Sequence, residues 1–255
     1  MSNSRVTEIV IVGGGTAGWM TAAALSKLLG RDYSITLIES EEIGTVGVGE
    51  GTIPMIKLYN QALELDEAEF VRRTKASFKV GIQCGDWYRK GESYFHGFGK
   101  IGQDLGMVAF YQYWLKMREA GKAGPLDEYS INTVAALQNK FMPAMRDRQN
   151  SPFADIAYAF HFDAGLYARY LREYSEARGV TRIEGKVADF TLRGEDGFVQ
   201  SVTMEDGTVV GGQLFIEDRG SANGTYVRGT KISGPTPVLP GDTVQCGAIV
   251  LRFEG

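Results

Sequence analysis

Residues 13–18 read Gly13-Gly-Gly-Thr-Ala-Gly18, a G-x-G-x-x-G spacing suited to holding the pyrophosphate of a dinucleotide. Gly13 permits a tight turn, Gly15 lets the backbone approach the phosphates, and Gly18 allows close helix–strand packing. The N-terminus of the following helix offers unpaired N–H groups to the phosphates, and Thr16 and Ala17 in the turn count among the cofactor-binding candidates. Glu39 follows at the distance where an acid accepts hydrogen bonds from the adenosine ribose hydroxyls. The spacing alone is a weak signal, because a glycine-rich turn can also exist without a ligand.

The flanking elements strengthen it. Residues 8–12 form a short β-branched apolar run of the kind buried in a parallel sheet, 19–29 read as a helix ending at Gly30, and 34–38 as a second buried strand. Together they make a βαβ unit of about 30 residues with the glycines at its first turn. A second glycine-dense stretch, 43–54, contains Gly44, Gly47, Gly49 and Gly51. It is either a mobile surface loop or backbone laid against a flat ligand, with Val46, Val48 and Ile53 as apolar anchors. The second reading favours FAD over NAD.

Beyond it, 78–82 reads as a strand carrying Lys79 between Phe78 and Val80, where alternation would let the lysine face solvent. An aromatic group follows: Trp87, Tyr88, Tyr94, Phe95, His96 and Phe98. Trp87, Tyr88 and residues 110–114 read as core, and Cys84 as a small buried hydrophobe. Helices are expected over 107–120, 130–138 and 164–177, the last capped by Asp163 and ended by Gly179. Strands are expected over 181–187, 190–193, 198–205 and 208–215.

Composition narrows the field. The 255 residues carry a formal charge of −4 with no Lys/Arg-rich run, which argues against nucleic acid as a partner. Two cysteines, Cys84 and Cys246, and two distant histidines, His96 and His161, support neither a disulfide framework nor a metal site. No apolar leader core precedes the glycines, and no run reaches the roughly 20 apolar residues that span a bilayer. A cytoplasmic protein with no membrane partner is the expectation.

Four segments resemble the flavin-dependent tryptophan halogenases: Gly13-Gly-Gly-Thr-Ala-Gly-Trp19, Gly47-Val-Gly-Glu-Gly-Thr-Ile-Pro54, Ala76-Ser-Phe-Lys-Val80 and Tyr94-Phe-His-Gly-Phe-Gly99. The resemblance implies an α/β, FAD-binding Rossmann-like fold of the monooxygenase type over residues 1–214. It further implies that FAD, reduced by a separate flavin reductase, yields hypohalous acid from dioxygen and chloride or bromide. Lys79 matches the lysine that delivers halogen to tryptophan or indole, and His96 and Phe98 match residues stacked on the indole. The strand at Val187 would lie beside the adenine, and Gly49 belongs to the flavin-side loop. The family's Trp-x-Trp-x-Ile-Pro motif and catalytic glutamate have no counterpart in residues 1–255.

After residue 214 the pattern changes to short strands split by glycine turns. Gly220-Ser-x-Asn-Gly-Thr-x-Val-x-Gly229 and Gly241-Asp242 resemble the C-terminal half of a forkhead-associated (FHA) domain, a β-sandwich that binds phosphothreonine peptides. That resemblance makes 215–255 a partial all-β tail, makes Asn223 a contact to the peptide backbone, and makes the chain a chimera. Asn223-Gly224 is equally a plain turn. The arginine and serine that would grip the phosphate are absent from the matching positions.

Overall fold

The structure, a computed structural model, describes residues 6–43, 50–145, 147, 151–194 and 197–217, and the backbone of four later strands. Gly49 and Asn223 lie outside the described residues. In chain order the elements begin with β1 (Glu8–Val12), α1 (Thr16–Leu28), β2 (Ser34–Glu39), β3 (Glu50–Gly51), α2 (Met55–Ala62) and α3 (Glu67–Thr74). Next come β4 (Ser77–Lys79), β5 (Gly81–Gly85), β6 (Ser93–Gly97), α4 (Phe110–Glu119), α5 (Ile131–Leu137) and β7 (Ala159–Phe162). They continue with α6 (Ala164–Glu176), β8 (Thr181–Glu184), β9 (Val187–Leu192), β10 (Val199–Met204), β11 (Val209–Gly211) and β12 (Leu214–Glu217). Four short strands complete the chain: β13 (Thr225–Val227), β14 (Thr230–Ile232), β15 (Thr243–Cys246) and β16 (Ile249–Arg252). The molecule divides into two units, one of residues 1–48 with 164–255 and another of 49–163.

The first unit is built on a parallel sheet in the order β12-β1-β2-β8. Its strands are rich in Ile, Val and Leu because both faces are covered. On one face Val10 and Ile38 pack against Val202 and Met204 of β10, with Val187 and Phe215 alongside. Strands β9, β10 and β11 form that antiparallel cover. Ile9, Ile11, Ile35 and Leu37 alternate onto the opposite face and are fully buried. There α1 packs on β1, β2 and α6. Alanines 17, 22, 23 and 24 favour the helix, and Gly18, Ala22 and Ala23 are buried where it packs. Gly30, with φ of 74°, ends it.

Four expected boundaries shift for visible reasons. The run 78–82 divides into β4 and β5 at Val80, whose carbonyl accepts from the Phe98 amide (2.8 Å). At Gly185, with φ of 145°, the chain leaves β8 in the parallel sheet and enters β9, so 187–192 is one strand. The run 208–215 breaks at Gly212-Gln213; Gln213 Oε1 accepts from the Thr7 amide (2.7 Å), and β12 then runs parallel to β1. Helix α4 starts only at Phe110, whose amide donates to Asp104 Oδ1 (2.7 Å). The boundary at 214/215 falls inside β12. Strands β13–β16 pair antiparallel in the order β14-β13-β15-β16.

The second unit holds an antiparallel sheet, β3-β7-β4, and a separate hairpin, β5–β6. Its core is aromatic: the Phe70 ring meets Phe160 edge-on at 5.0 Å between centroids and Phe162 at 5.6 Å. The hairpin is only two-stranded, and its surroundings correct the expected core. Trp87 and Tyr88 are exposed, at 80% and 77%. Within 110–114, Phe110 is buried but Tyr111 is exposed and Trp114 half-buried; Cys84 is also half-buried. No helix among the described residues is long and apolar enough to cross a membrane.

Truncating Phe70, which is 0% exposed, removes both ring contacts. Phe70→Ala is expected to cost about 3–5 kcal/mol of stability, read as a lower urea midpoint with an unchanged m-value.

Candidate functional site

Each unit carries one cluster of chemically useful groups. In the first, β1 ends in Gly13, which adopts φ of 114°, a left-handed value that favours glycine. Its amide donates to the Ile38 carbonyl (2.8 Å), which seats the turn across the ends of β1 and β2. Gly15, in extended conformation, is the N-cap of α1; no side chain caps the helix and its first turn holds no acid. The N-terminus from Thr16 and Ala17 therefore suits an anion by dipole and by main-chain donors. Thr16 Oγ1 lies 3.4 Å from the Ala164 carbonyl, to which it donates.

Glu39 stands at the end of β2, beside this turn. Its Oε2 accepts from the Trp19 indole Nε1 (3.1 Å), and its Oε1 accepts from Arg182 Nε. Arg172 lies 3.6 Å from the same carboxylate. The side chain folds over Gly14, where a Cβ would stand 1.7 Å from Oε2, so this position requires glycine. Burial pushes the Arg182 guanidinium down, but its bond to Glu39 and the charges of Glu39, Glu184 and Glu41 more than offset that and leave it raised. A carboxylate has about four acceptor sites, so two donors leave capacity for a ribose hydroxyl. The turn, the uncapped helix and the adjacent acid fit the ADP half of a dinucleotide. Val187 begins β9 and packs against the Val10–Ile38 cluster.

In the second unit Lys79 ends β4. Its Nζ stands 5.8 Å from the Phe98 ring centroid, and Phe98 is buried. The same Nζ would be 3.2 Å from a Cβ placed on Gly51, and the His161 ring would be 3.1 Å from that Cβ. The structure thus gathers Lys79, Phe98, Gly51 and His161. His96 pairs with Ile82 on the hairpin and is exposed. Phe78 does not follow Lys79; it stacks on Phe141 at 4.0 Å.

A buried polar helix end lies against the hairpin that carries Phe98's neighbour Gly97. Ser130, Asn132 and Thr133 are 1%, 2% and 2% exposed. Ser130 Oγ accepts from the Thr133 amide (3.2 Å) and caps α5. Asn132 Nδ2 donates to the carbonyls of Val80 (3.2 Å) and Ala157. Between His96 and Phe98, Gly97 touches the same helix end: a Cβ there would be 2.5 Å from Thr133 Oγ1. Nothing in the sequence marks Asn132 or His161 as site residues. A cavity of about 490 Å³ adjoins α5, lined by Val80, Ile131, Asn132, Ala135, Phe141 and Phe153 among others. Among the described residues no group of His, Cys, Asp and Glu is arranged to hold a metal ion.

The family model for tryptophan halogenase matches residues 8–229. The chain belongs to the tryptophan halogenase family. It is 34% identical to tryptophan 6-halogenase SttH of Streptomyces toxytricini over 86% of this chain and 45% of that protein. Among solved structures it resembles a flavin-dependent halogenase from Xanthomonas campestris, with TM-score 0.79 and 44% identity over 86% of this chain and 43% of that one. The flavin-dependent halogenase BrvH from Brevundimonas sp. BAL3 is similar, with TM-score 0.76, 42% identity and the same coverage of 86% and 43%. The chain therefore spans less than half the length of these halogenases. The family match runs past residue 214, through β12 and β13, and no comparison supports an FHA domain or a chimera.

Asn132→Ala deletes both carboxamide donations; the Val80 carbonyl keeps the Phe98 amide, while the Ala157 carbonyl loses its Asn132 donor. It is expected to cost about 1–3 kcal/mol in chemical denaturation, with a larger loss for Asn132→Asp, which places a charge at a 2% exposed position.

Proposed function

We propose that the first unit binds FAD through Gly13, Gly15, Thr16, Ala17, Gly18 and Glu39, with Val187 on the adenine side. Lys79 of the second unit is the halogen carrier of a tryptophan- or indole-directed halogenase reaction. The observation that carries this reading is that Lys79 Nζ lies 5.8 Å from the buried Phe98 ring and 3.2 Å from the Cβ position over Gly51. Bound reduced FAD supplies hypohalous acid from dioxygen and chloride or bromide, and a flavin reductase supplies the reducing equivalents. The chain's own part is to grip the pyrophosphate at the helix N-terminus, hold the ribose at Glu39, and present an amine beside an aromatic platform. Phe98 provides that platform; His96, exposed on the same hairpin, is its proposed second wall. The amine forms a nitrogen–halogen bond and passes the halogen to the indole ring. Transfer leaves a ring proton for a carboxylate to accept, and no acid in this chain is assigned that task.

A second reading concerns 215–255 as a partial FHA module recognising phosphothreonine through Asn223. The antiparallel pairing of β13–β16 favours it; the extent of the family match and the absent phosphate-binding arginine weigh against it. Calorimetric titration with a phosphothreonine peptide tests it: no heat ends it, as does equal binding by Asn223→Ala. A chain that binds neither FAD nor peptide would fit a composite without native activity.

FAD titration followed by flavin fluorescence quenching tests the main reading. Saturable binding is expected, weakened at least about tenfold by Gly14→Val, a change of about 1.4 kcal/mol, because a Cβ there meets the Glu39 carboxylate. Absence of quenching at excess FAD rejects the cofactor reading. Given reductase, halide and tryptophan or indole, Lys79→Ala is expected to abolish halogenated product while leaving FAD affinity unchanged.

A further inference from the structure

We propose that His161 is the general base that accepts a proton from Lys79 as that amine takes up halogen. The inference rests on the reading of Lys79 as halogen carrier. An ammonium has no lone pair with which to attack an electrophilic halogen, so a carrier lysine needs a nearby proton acceptor. Among the described residues no carboxylate pairs with Lys79 and no hydrogen bond engages the His161 ring.

Strand register brings the two together. In the antiparallel sheet His161 stands opposite Ser77 on β4 and opposite Gly51 on β3. Lys79 is two residues beyond Ser77, on the same face of β4, and is the diagonal neighbour of His161. The Lys79 Nζ and the His161 Nδ1 lie 3.2 Å and 3.1 Å from one point, the Cβ position above Gly51. Glycine leaves that point open, and a water there would be within reach of both groups and could relay a proton between them. In β7, Ala159, Phe160 and Phe162 are buried while His161 is exposed. The imidazole is therefore free to pass the proton on to solvent.

The step balances. The Lys79 N–H bond breaks, the proton bonds to an imidazole nitrogen, and the electron pair stays on Nζ. Hypohalous acid then adds its halogen to that nitrogen, and the second amine proton leaves with the hydroxide as water. His161 finally releases its proton to solvent.

Reactivity of the amine can be read without flavin. The full chain at fixed pH 7.5, about neutral, is pulsed with limiting acetic anhydride, and labelling of Lys79 is compared by peptide mass spectrometry with that of exposed Lys116. His161→Ala is expected to slow Lys79 labelling at least about fivefold relative to Lys116, and added imidazole to restore most of it. Circular dichroism reports whether the variant folds, and Gly51→Ala, which fills the shared point, is expected to slow labelling with both partners present. Unchanged labelling in His161→Ala overturns the proposal, as does slowing that imidazole does not rescue. The halogen-carrier reading fails separately, if Lys79→Ala still yields halogenated product.

Discussion

The first unit depends on one carboxylate. Glu39 joins α1 through Trp19, β8 through Arg182 and the glycine turn by lying over Gly14. A charge that is only 14% exposed is costly unless paired. Two directed donors with Arg172 nearby meet that cost, and removing either donor would leave the charge short of partners. The same interactions fix the position of the carboxylate over the glycine turn. The acid that would orient a nucleotide's ribose is therefore held before any nucleotide arrives, which lowers the ordering cost of binding.

The second unit solves a similar problem with neutral groups. Val80 and Gly97, the chain neighbours of Lys79 and Phe98, meet the buried end of α5, where Asn132 directs its amide protons to main-chain carbonyls. A hydroxyl cap and a carboxamide suit an interior where a further charge would have to be desolvated. The arrangement makes the lysine's surroundings depend on a helix more than 50 residues away in sequence.

What was legible in the sequence was local. The strand, turn, helix and acid of the nucleotide half follow one another within about 30 residues, so their spacing encodes their geometry. Lys79 and Phe98 stand out in the sequence only through motif resemblance, and the structure brings them near each other. His161, Arg182 and Asn132 were invisible because strand register or helix docking brings each to its partner across a long stretch of chain. Trp87 and Tyr88 were misread because aromatic character predicts burial only where a second layer covers the strand. The 78–82 and 208–215 runs were read as unbroken strands because β-branched composition says nothing about where a backbone carbonyl or a glutamine amide turns the chain aside.

The pairing of β12 with β1 has a consequence for how the molecule is made. Ile9 lies opposite Leu214, so the sheet carrying the glycine turn closes only when the last quarter of the described α/β region has been synthesised. Residues 49–163 form a unit of one uninterrupted stretch, inserted between β2 and the later strands of the parallel sheet. Such late, long-range closure slows folding and leaves apolar strand edges open to other chains in the interval. The glycine turn thus sits in a sheet that is completed by a strand about 200 residues further along.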